Sequence, residues 1–140
     1  MSITKMTNNK TIGNSAERAF ASLMFQSGWW VHIFATKVVG QPFDCICANQ
    51  GVVWFVDVKH IDQGKDYLLH SRIEANQRNS MKMLANRGFT TLGFACLFDD
   101  GWYLLRFENI DWNENKSGKD RMEKLNKNIN KTFFAKSVAF

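Results

Sequence analysis

The chain has 140 residues, of which 45% are hydrophobic and 22% charged, with a single proline and a formal net charge of +5. This composition excludes a disordered, collagen-like or low-complexity protein, and the length predicts one compact domain at residues 13–140 after a polar segment at 1–12. The longest nearly apolar run, 92–98, is much shorter than the roughly 20 residues of a membrane span, and we find no apolar signal core, so we expect a cytoplasmic protein that is not secreted.

The first predicted element is a helix that begins at Asn14 and ends before Gly28. Asn14 is a favourable N-cap residue, and Glu17 stands three residues later, where the second side chain of a capping box lies. Apolar side chains then recur at helical spacing from Ala16 to Met24. The pattern alone therefore gives Glu17 a structural explanation, as the partner of an N-cap, beside any functional one.

Three strands are predicted after this helix, at 29–34, 43–48 and 52–59. A tight turn around Asn49-Gln50-Gly51 joins the second and third strands into a hairpin, because asparagine and glycine tolerate the backbone angles that such turns require. We expect the hairpin to lie beside the first strand.

The second half of the chain begins with a polar loop at 62–70. The pattern from Ser71 to Glu74 is another capping box and predicts a helix that ends at Gly88. The remaining predicted elements are strands at 90–98 and 102–107 and a helix at 117–131. The predicted order is therefore αβββαββα.

The positive charge is concentrated at the C-terminus. Residues 1–115 hold 11 basic and 11 acidic side chains, whereas residues 116–140 hold 7 basic and 2 acidic ones. We therefore predict a basic C-terminal helix at about 116–136. Contact with DNA or RNA would explain such a segment, and so would a solubilising surface helix.

One face of the third strand combines an acid and a lysine with apolar neighbours. Because side chains alternate along a strand, Val53, Phe55, Asp57 and Lys59 point the same way. Burying an acid and a lysine is costly unless other groups satisfy them, although a lysine at a strand end can also reach solvent. The pair therefore requires a partner or a function.

The register of the hairpin determines where Asp44 lies. A two-residue turn at Gln50-Gly51 would place Asp44 directly opposite Asp57, where two like charges repel each other. Magnesium is attracted to such paired carboxylates and prefers oxygen ligands. A turn one residue wider would leave the two carboxylates as diagonal neighbours.

Residues 41–59 resemble the signature of PD-(D/E)XK nucleases, in which a hairpin presents an acid and then an acid, any residue and a lysine. The matching residues are Gln41-Pro42-Phe43-Asp44, then 12 residues, then Asp57-Val58-Lys59. Phe43 separates the proline from the first acid, which is a departure from the pattern. The acid-any-lysine triplet alone is a weak signal.

Two further segments resemble cellular Holliday-junction resolvases within this superfamily. Gly13-Asn14-Ser15-Ala16-Glu17-Arg18 is similar to their N-terminal helix, whose glutamate joins the metal site. Gln77 looks like the glutamine that many members carry after the motif lysine, although a hydrogen bond to backbone would also explain it. Asp57 stands where these resolvases usually carry glutamate. The element order at 13–107 implies a restriction-endonuclease-like αβββαβ core, an α/β fold with a mixed central sheet flanked by helices.

The resemblance also implies chemistry. Glu17, Asp44, Asp57 and the carbonyl of Val58 would bind Mg²⁺, for which Mn²⁺ would substitute. Lys59 would orient or deprotonate the attacking water, and Gln77 would belong to the same catalytic set. The reaction would be phosphodiester hydrolysis by an endodeoxyribonuclease, with 5′-phosphate and 3′-hydroxyl products.

The implied substrate is a four-way DNA junction, nicked symmetrically by a homodimer during recombination and repair, at the nucleoid or elsewhere in the cytoplasm. A sequence-specific or general nuclease of the same fold, and a DNA-binding module without catalysis, remain alternatives. We expect DNA contacts in the loop at 61–70 and in the basic tail. The predicted DNA-binding residues are Lys65, Arg72, Lys116, Lys119, Arg121, Lys124 and Lys127.

Overall fold

The computed structural model describes residues 9–34, 42–125 and 129–136, with side chains from residue 15 onward. Its helices are α1 (Asn9–Gln26), α2 (Ala75–Asn86) and α3 (Ile129–Phe134). Its strands are β1 (Trp30–Ile33), β2 (Cys45–Asn49), β3 (Val52–His60), β4 (Tyr67–Leu69), β5 (Leu92–Phe98), β6 (Gly101–Arg106), β7 (Lys116–Gly118) and β8 (Glu123–Lys124). Short 3₁₀ turns lie at His70–Arg72, Phe107–Asn109 and Lys119–Arg121. Within these residues, no helix combines the length and the apolar character that crossing a membrane requires.

The main sheet has six strands in the order β1-β2-β3-β5-β6-β8. Strands β3 and β5 run parallel, and every other neighbouring pair is antiparallel. A parallel pair needs a crossover, and α2 lies in the segment that connects β3 to β5. Strands β4 and β7 form a separate two-stranded antiparallel sheet. The predicted mixed central sheet is confirmed.

Two hydrophobic clusters cover the two faces of the main sheet. On one face, Met81 of α2 packs with Phe94 and Leu105 of the sheet. On the other face, Phe20 of α1 and Phe133 of α3 pack against the sheet residue Trp54. The sheet is therefore flanked by helices, as predicted. Because side chains alternate along a strand, successive residues of a strand pack in different clusters.

The hairpin between β2 and β3 has the predicted two-residue turn. Asn49 pairs with Val52, and Gln50 and Gly51 both have positive φ angles, 50° and 79°. Positive φ at both central residues is the geometry of a type I′ turn, which suits the right-handed twist of the strands. The register that brings Asp44 next to Asp57 is thus confirmed.

The boundaries of two helices differ from the prediction. Helix α1 begins at Asn9, so Glu17 lies inside the helix, and the predicted capping box with Asn14 is wrong. Helix α2 begins at Ala75 with Glu74 as its N-cap, and not at Ser71, because residues 70–72 form a 3₁₀ turn.

The C-terminal segment differs most from the prediction, because the basic helix predicted at 116–136 is wrong. Residues 116–118 form β7, which pairs with β4 inside the segment predicted to be a loop. Residues 123–124 form β8, which pairs with β6, and the only helix in the described part of this segment is the six-residue α3. Met122 and Leu125 flank β8 and are three residues apart. Because side chains alternate between the two faces of a strand, they belong to different hydrophobic clusters.

Candidate active site

The acid and the lysine of β3 are both buried. Asp57 is 1% exposed and Lys59 is 9% exposed. They lie on the part of β3 that extends past the ladder with β2 and pairs with β5, where Asp57 is opposite Phe94 and Lys59 is opposite Cys96. A charged pair in this position is costly unless other groups satisfy it.

The ammonium group of Lys59 has three oxygen partners. Its Nζ donates to the carbonyl oxygen of Arg72 at 2.8 Å and to Oε1 of Gln77 at 3.2 Å. It also forms an ion pair with Oδ2 of Asp57 at 3.0 Å. An ammonium group has three donors, so its position is fully determined by these contacts.

Gln77 connects the strand to helix α2. Its Nε2 donates to Oδ1 of Asp57 at 2.8 Å, and its Oε1 accepts from Lys59 and from the backbone N–H of Glu74 at 3.1 Å. The bond to Glu74 is the capping interaction of α2, with Gln77 at the third helical position. The hydrogen bond to backbone is therefore present, and the same amide also contacts the acid and the lysine, while its place in a catalytic set stays a prediction.

Asp44 immediately precedes Cys45, the first residue of β2. The strand ladder ends at Cys45, which pairs with Val56, and the N–H of Asp44 still donates to the carbonyl of Val56 at 3.0 Å. The N–H of Val58 then donates to Oδ2 of Asp44 at 2.7 Å. The carboxylate thus takes the place of a backbone acceptor, which holds it beside Asp57.

Electrostatics show that the carboxyl groups of Glu17, Asp44 and Asp57 are neighbours. Burial raises the pKa of Glu17 from 4.5 to about 7, and the charge of Asp44 and a hydrogen bond with it act in the same direction. Burial also raises the pKa of Asp57 well above its ordinary value; Lys59 opposes this, and Asp44 adds to it. Asp44 therefore interacts with both other acids and repels each of them when they are ionised.

A divalent cation fits this arrangement. Among the described residues, no group donates a hydrogen bond to the buried Oε1 of Glu17, whereas the buried Oδ2 of Asp57 pairs with Lys59 at 3.0 Å. Two such carboxylate oxygens beside a third acid are what Mg²⁺ uses, since it takes one or two carboxylates and completes its shell with water and phosphate. In the part of the chain that the structure describes, no three His, Cys, Asp or Glu side chains are placed to hold one metal ion together, so two of these carboxylates would act with water.

Three predicted DNA-binding residues meet on the two-stranded sheet. Nζ of Lys116 lies 4.5 Å and Nζ of Lys65 lies 5.6 Å from the ring centre of Tyr67. Arg72, Lys65 and Tyr67 line a small cleft of about 40 Å³. Because the carbonyl of Arg72 binds Lys59, this basic surface adjoins the acid–lysine pair.

Two of the other predicted DNA-binding residues share an acidic partner. Lys119 and Lys124 form ion pairs with Asp100, at 2.9 and 3.5 Å. Arg121 is exposed at the end of a 3₁₀ turn, and Lys127 lies outside the described residues. Lys119 adjoins the surface around Tyr67, because its backbone N–H donates to the carbonyl of Asp66, and Arg121 lines a cleft together with Lys116.

One contributor to the site was missed by the sequence prediction, namely the carbonyl of Arg72, which accepts from Lys59. Every residue has a carbonyl, so no residue type could have revealed it. Its position follows from the 3₁₀ turn at His70–Arg72, which is held by hydrogen bonds from the His70 ring to the carbonyl of Glu114 and with the hydroxyl of Ser117.

Comparison with known proteins shows a likeness in fold. No protein-family model matches the chain, and no curated protein matches its sequence. Among the solved structures, the chain is similar to Hjc, a Holliday junction resolvase from the archaeal hyperthermophile Archaeoglobus fulgidus. The TM-score is 0.62 at 16% sequence identity, and the match covers 80% of this chain and 95% of that one. The chain therefore has this nuclease fold, which confirms the fold that the sequence resemblance implied.

Proposed function

We propose that the chain is a Mg²⁺-dependent DNA endonuclease that cuts four-way junctions. The observation that carries this proposal is the buried network of Asp57, Lys59 and Gln77, with the carboxyl groups of Asp44 and Glu17 beside it, on the fold of a Holliday junction resolvase. So much buried charge costs folding free energy, which a binding and catalytic role would explain.

Glu17, Asp44 and Asp57, with the carbonyl of Val58, would hold the cation. When bound, Mg²⁺ would bind a nonbridging phosphate oxygen and offset the charge that develops during hydrolysis. Mn²⁺ would serve in its place, because it accepts the same oxygen ligands. The buried Oε1 of Glu17, which accepts no hydrogen bond from the described residues, supports this assignment.

Lys59 would act on the attacking water and on the phosphate. Two hydrogen bonds, to Arg72 and Gln77, fix the ammonium group, and its third N–H is available to Asp57 or to a phosphate oxygen in its place. A positive group held in advance at the reacting phosphate stabilises the transition state without reorganisation. Gln77 would keep the acid and the lysine in this relation.

The substrate would be bound through its backbone and its branched shape. The basic surface of Lys65, Arg72 and Lys116 around Tyr67 adjoins Lys59 and offers charge for phosphate contacts. A homodimer would place two such sites on two symmetric strands, which paired nicking of a junction requires. This activity belongs with DNA in the cytoplasm or at the nucleoid.

The test is cleavage of an immobile four-way junction and of a linear duplex of matching sequence, each with Mg²⁺ or with EDTA. We expect paired symmetric nicks with 5′-phosphate ends on the junction alone, abolished by EDTA. Equal cutting of both DNAs would leave a general nuclease, and sequence-dependent cutting of the duplex would indicate a sequence-specific enzyme. Tight binding without cutting would contradict catalysis and leave a DNA-binding module.

A further inference from the structure

A second basic surface lies on the outer side of helix α2. A groove of about 430 Å³ runs there, and its polar and aromatic lining consists of His70, Arg78, Asn79, Lys82 and Trp112. We call it the α2 groove. It is separate from the surface around Tyr67, and none of its lining residues belongs to the acid–lysine network.

The charge of the α2 groove is positive. Arg78 and Lys82 are four residues apart on α2, so their side chains lie on the same side of the helix, and none of the described residues that line the groove is acidic. Among the described residues, no carboxylate forms an ion pair with either side chain, in contrast to Lys119 and Lys124, which share Asp100. The groove therefore presents unneutralised cations to an anionic ligand.

An aromatic side chain holds one of these cations in place. The guanidinium carbon of Arg78 lies 4.0 Å from the ring centre of Trp112. The Trp112 ring is itself braced by the rings of His70 at 5.4 Å and Phe107 at 5.9 Å. A guanidinium group fixed against an indole ring offers a flat surface on which a base can stack, and N–H groups that can bind phosphate.

We propose that the α2 groove binds an unpaired nucleotide of a DNA strand. The phosphate lies between Arg78 and Lys82, and the base stacks on the Arg78–Trp112 pair. Alternating cations and flat groups are how proteins bind single strands, because in a duplex the faces of the bases are covered by their neighbours. This inference rests on the proposed function and deepens it, since it specifies a substrate with an unpaired segment near its branch point.

The location of the groove supports this role. Gln77, the neighbour of Arg78, faces the sheet and reaches Asp57, whereas Arg78 faces outward. A strand in the groove would thus follow the helix that orders the acid–lysine pair, and His70 belongs to the 3₁₀ turn whose last carbonyl holds Lys59. The groove therefore lies on helix α2, which also contributes Gln77 to the candidate active site, but the groove takes no part in the chemistry of that site.

The test compares the binding of two labelled single strands of equal length, oligothymidine and an abasic strand, by fluorescence anisotropy across a salt series with Ca²⁺. Both strands carry the same phosphates, so any difference in affinity measures contact with bases. For the wild type we expect about tenfold tighter binding of oligothymidine. Arg78→Lys keeps the charge but loses the flat group, so we expect most of this preference to disappear while the salt dependence is retained.

The double variant Arg78→Ala/Lys82→Ala tests the phosphate contact. The slope of log K against log salt should fall in magnitude by about 0.7, the value for one neutralised phosphate on a single strand. Lys131→Ala/Lys136→Ala is the matched control, because it removes the same charge from exposed positions in the C-terminal segment outside the groove. Because the basic tail is itself a predicted DNA contact, we expect this control to keep the base preference, whereas only the groove variant loses it.

Failure of this inference is distinguishable from failure of the proposed function. Equal affinity of the wild type for both strands, or a groove variant that behaves like the control, would overturn the inference while junction cleavage still stood. Absence of junction binding and cleavage by the wild type would overturn the proposed function and the inference with it.

Discussion

Replacing Glu17 by glutamine should stabilise the protein in a pH-dependent way when no metal is present. The folded chain raises the pKa of Glu17 from 4.5 to about 7, mainly by burial and then by the charge of Asp44, while Arg18 opposes the increase. Below pH 4.5 the group is protonated in the folded and the unfolded chain, so it costs nothing. Between pH 4.5 and about 7 the unfolded chain ionises first, and the cost to folding grows until it is complete above pH 7.

The size of this effect follows from the two pKa values. The difference between 4.5 and about 7 corresponds to about 3 kcal/mol. Glu17 is only half-buried, so screening by solvent reduces this to about 1–2 kcal/mol. In a chain of this size that amounts to about 3–8 °C in Tm.

The assay is thermal unfolding, followed by circular dichroism, of the wild type and Glu17→Gln between pH 4.5 and 8.5 in EDTA. We expect equal Tm values at pH 4.5 and a higher Tm for the variant at pH 8. Saturating Mg²⁺ should narrow the gap, because the ionised carboxylate then gains a partner. Glu108→Gln, at an exposed position, is the control and should show no such trend. A Tm difference that is independent of pH, or a less stable variant at pH 8, would show that the ionised Glu17 carboxylate does not destabilise the folded chain.

Three further substitutions test other parts of the account. Gln77→Leu removes the amide between Asp57 and Lys59 and should lower the single-turnover nicking rate about 100-fold with little change in junction affinity; an unchanged rate would exclude the positioning role. Arg106→Leu removes a buried guanidinium that donates to Glu123 at 2.5 Å, and should lower the free energy of unfolding by about 3 kcal/mol in urea; a loss below about 1 kcal/mol would contradict this. Gly51→Val places a branched side chain at φ 79° with no atom within 4 Å, so we expect a purely conformational cost of about 1–2 kcal/mol, and no cost would contradict the turn geometry.

The hairpin and its acids were predictable because local rules determine them. The turn at Gln50-Gly51 sets the register of β2 and β3, and strand alternation then places Asp57 and Lys59 on one face. The positions of Asp44, Asp57 and Lys59 depend on these short-range features. Gln77 was predictable as a polar residue on an apolar stripe, although its partners were not.

The C-terminal segment was not predictable, because pairing with distant strands determines its structure. Spacing of apolar residues from Met122 to Ile129 indicated a helix, yet residues 116–118 pair with β4 and 123–124 with β6. These partners lie up to about 50 residues away in sequence, and such tertiary contacts override local helix propensity. The position of the predicted basic residues, and the α2 groove, could not be known before that pairing.

The most direct test of Asp57 as a catalytic residue is the single-turnover nicking rate of a four-way junction, measured for the wild type and for Asp57→Asn at saturating protein with Mg²⁺. Junction affinity of both proteins is measured in parallel with Ca²⁺. We expect the two proteins to bind the junction with comparable affinity and the variant to nick it at least 100-fold more slowly, because Asp57 would both hold the cation and pair with Lys59. Nicking by Asp57→Asn at the wild-type rate would contradict the assignment of this buried network as the catalytic centre.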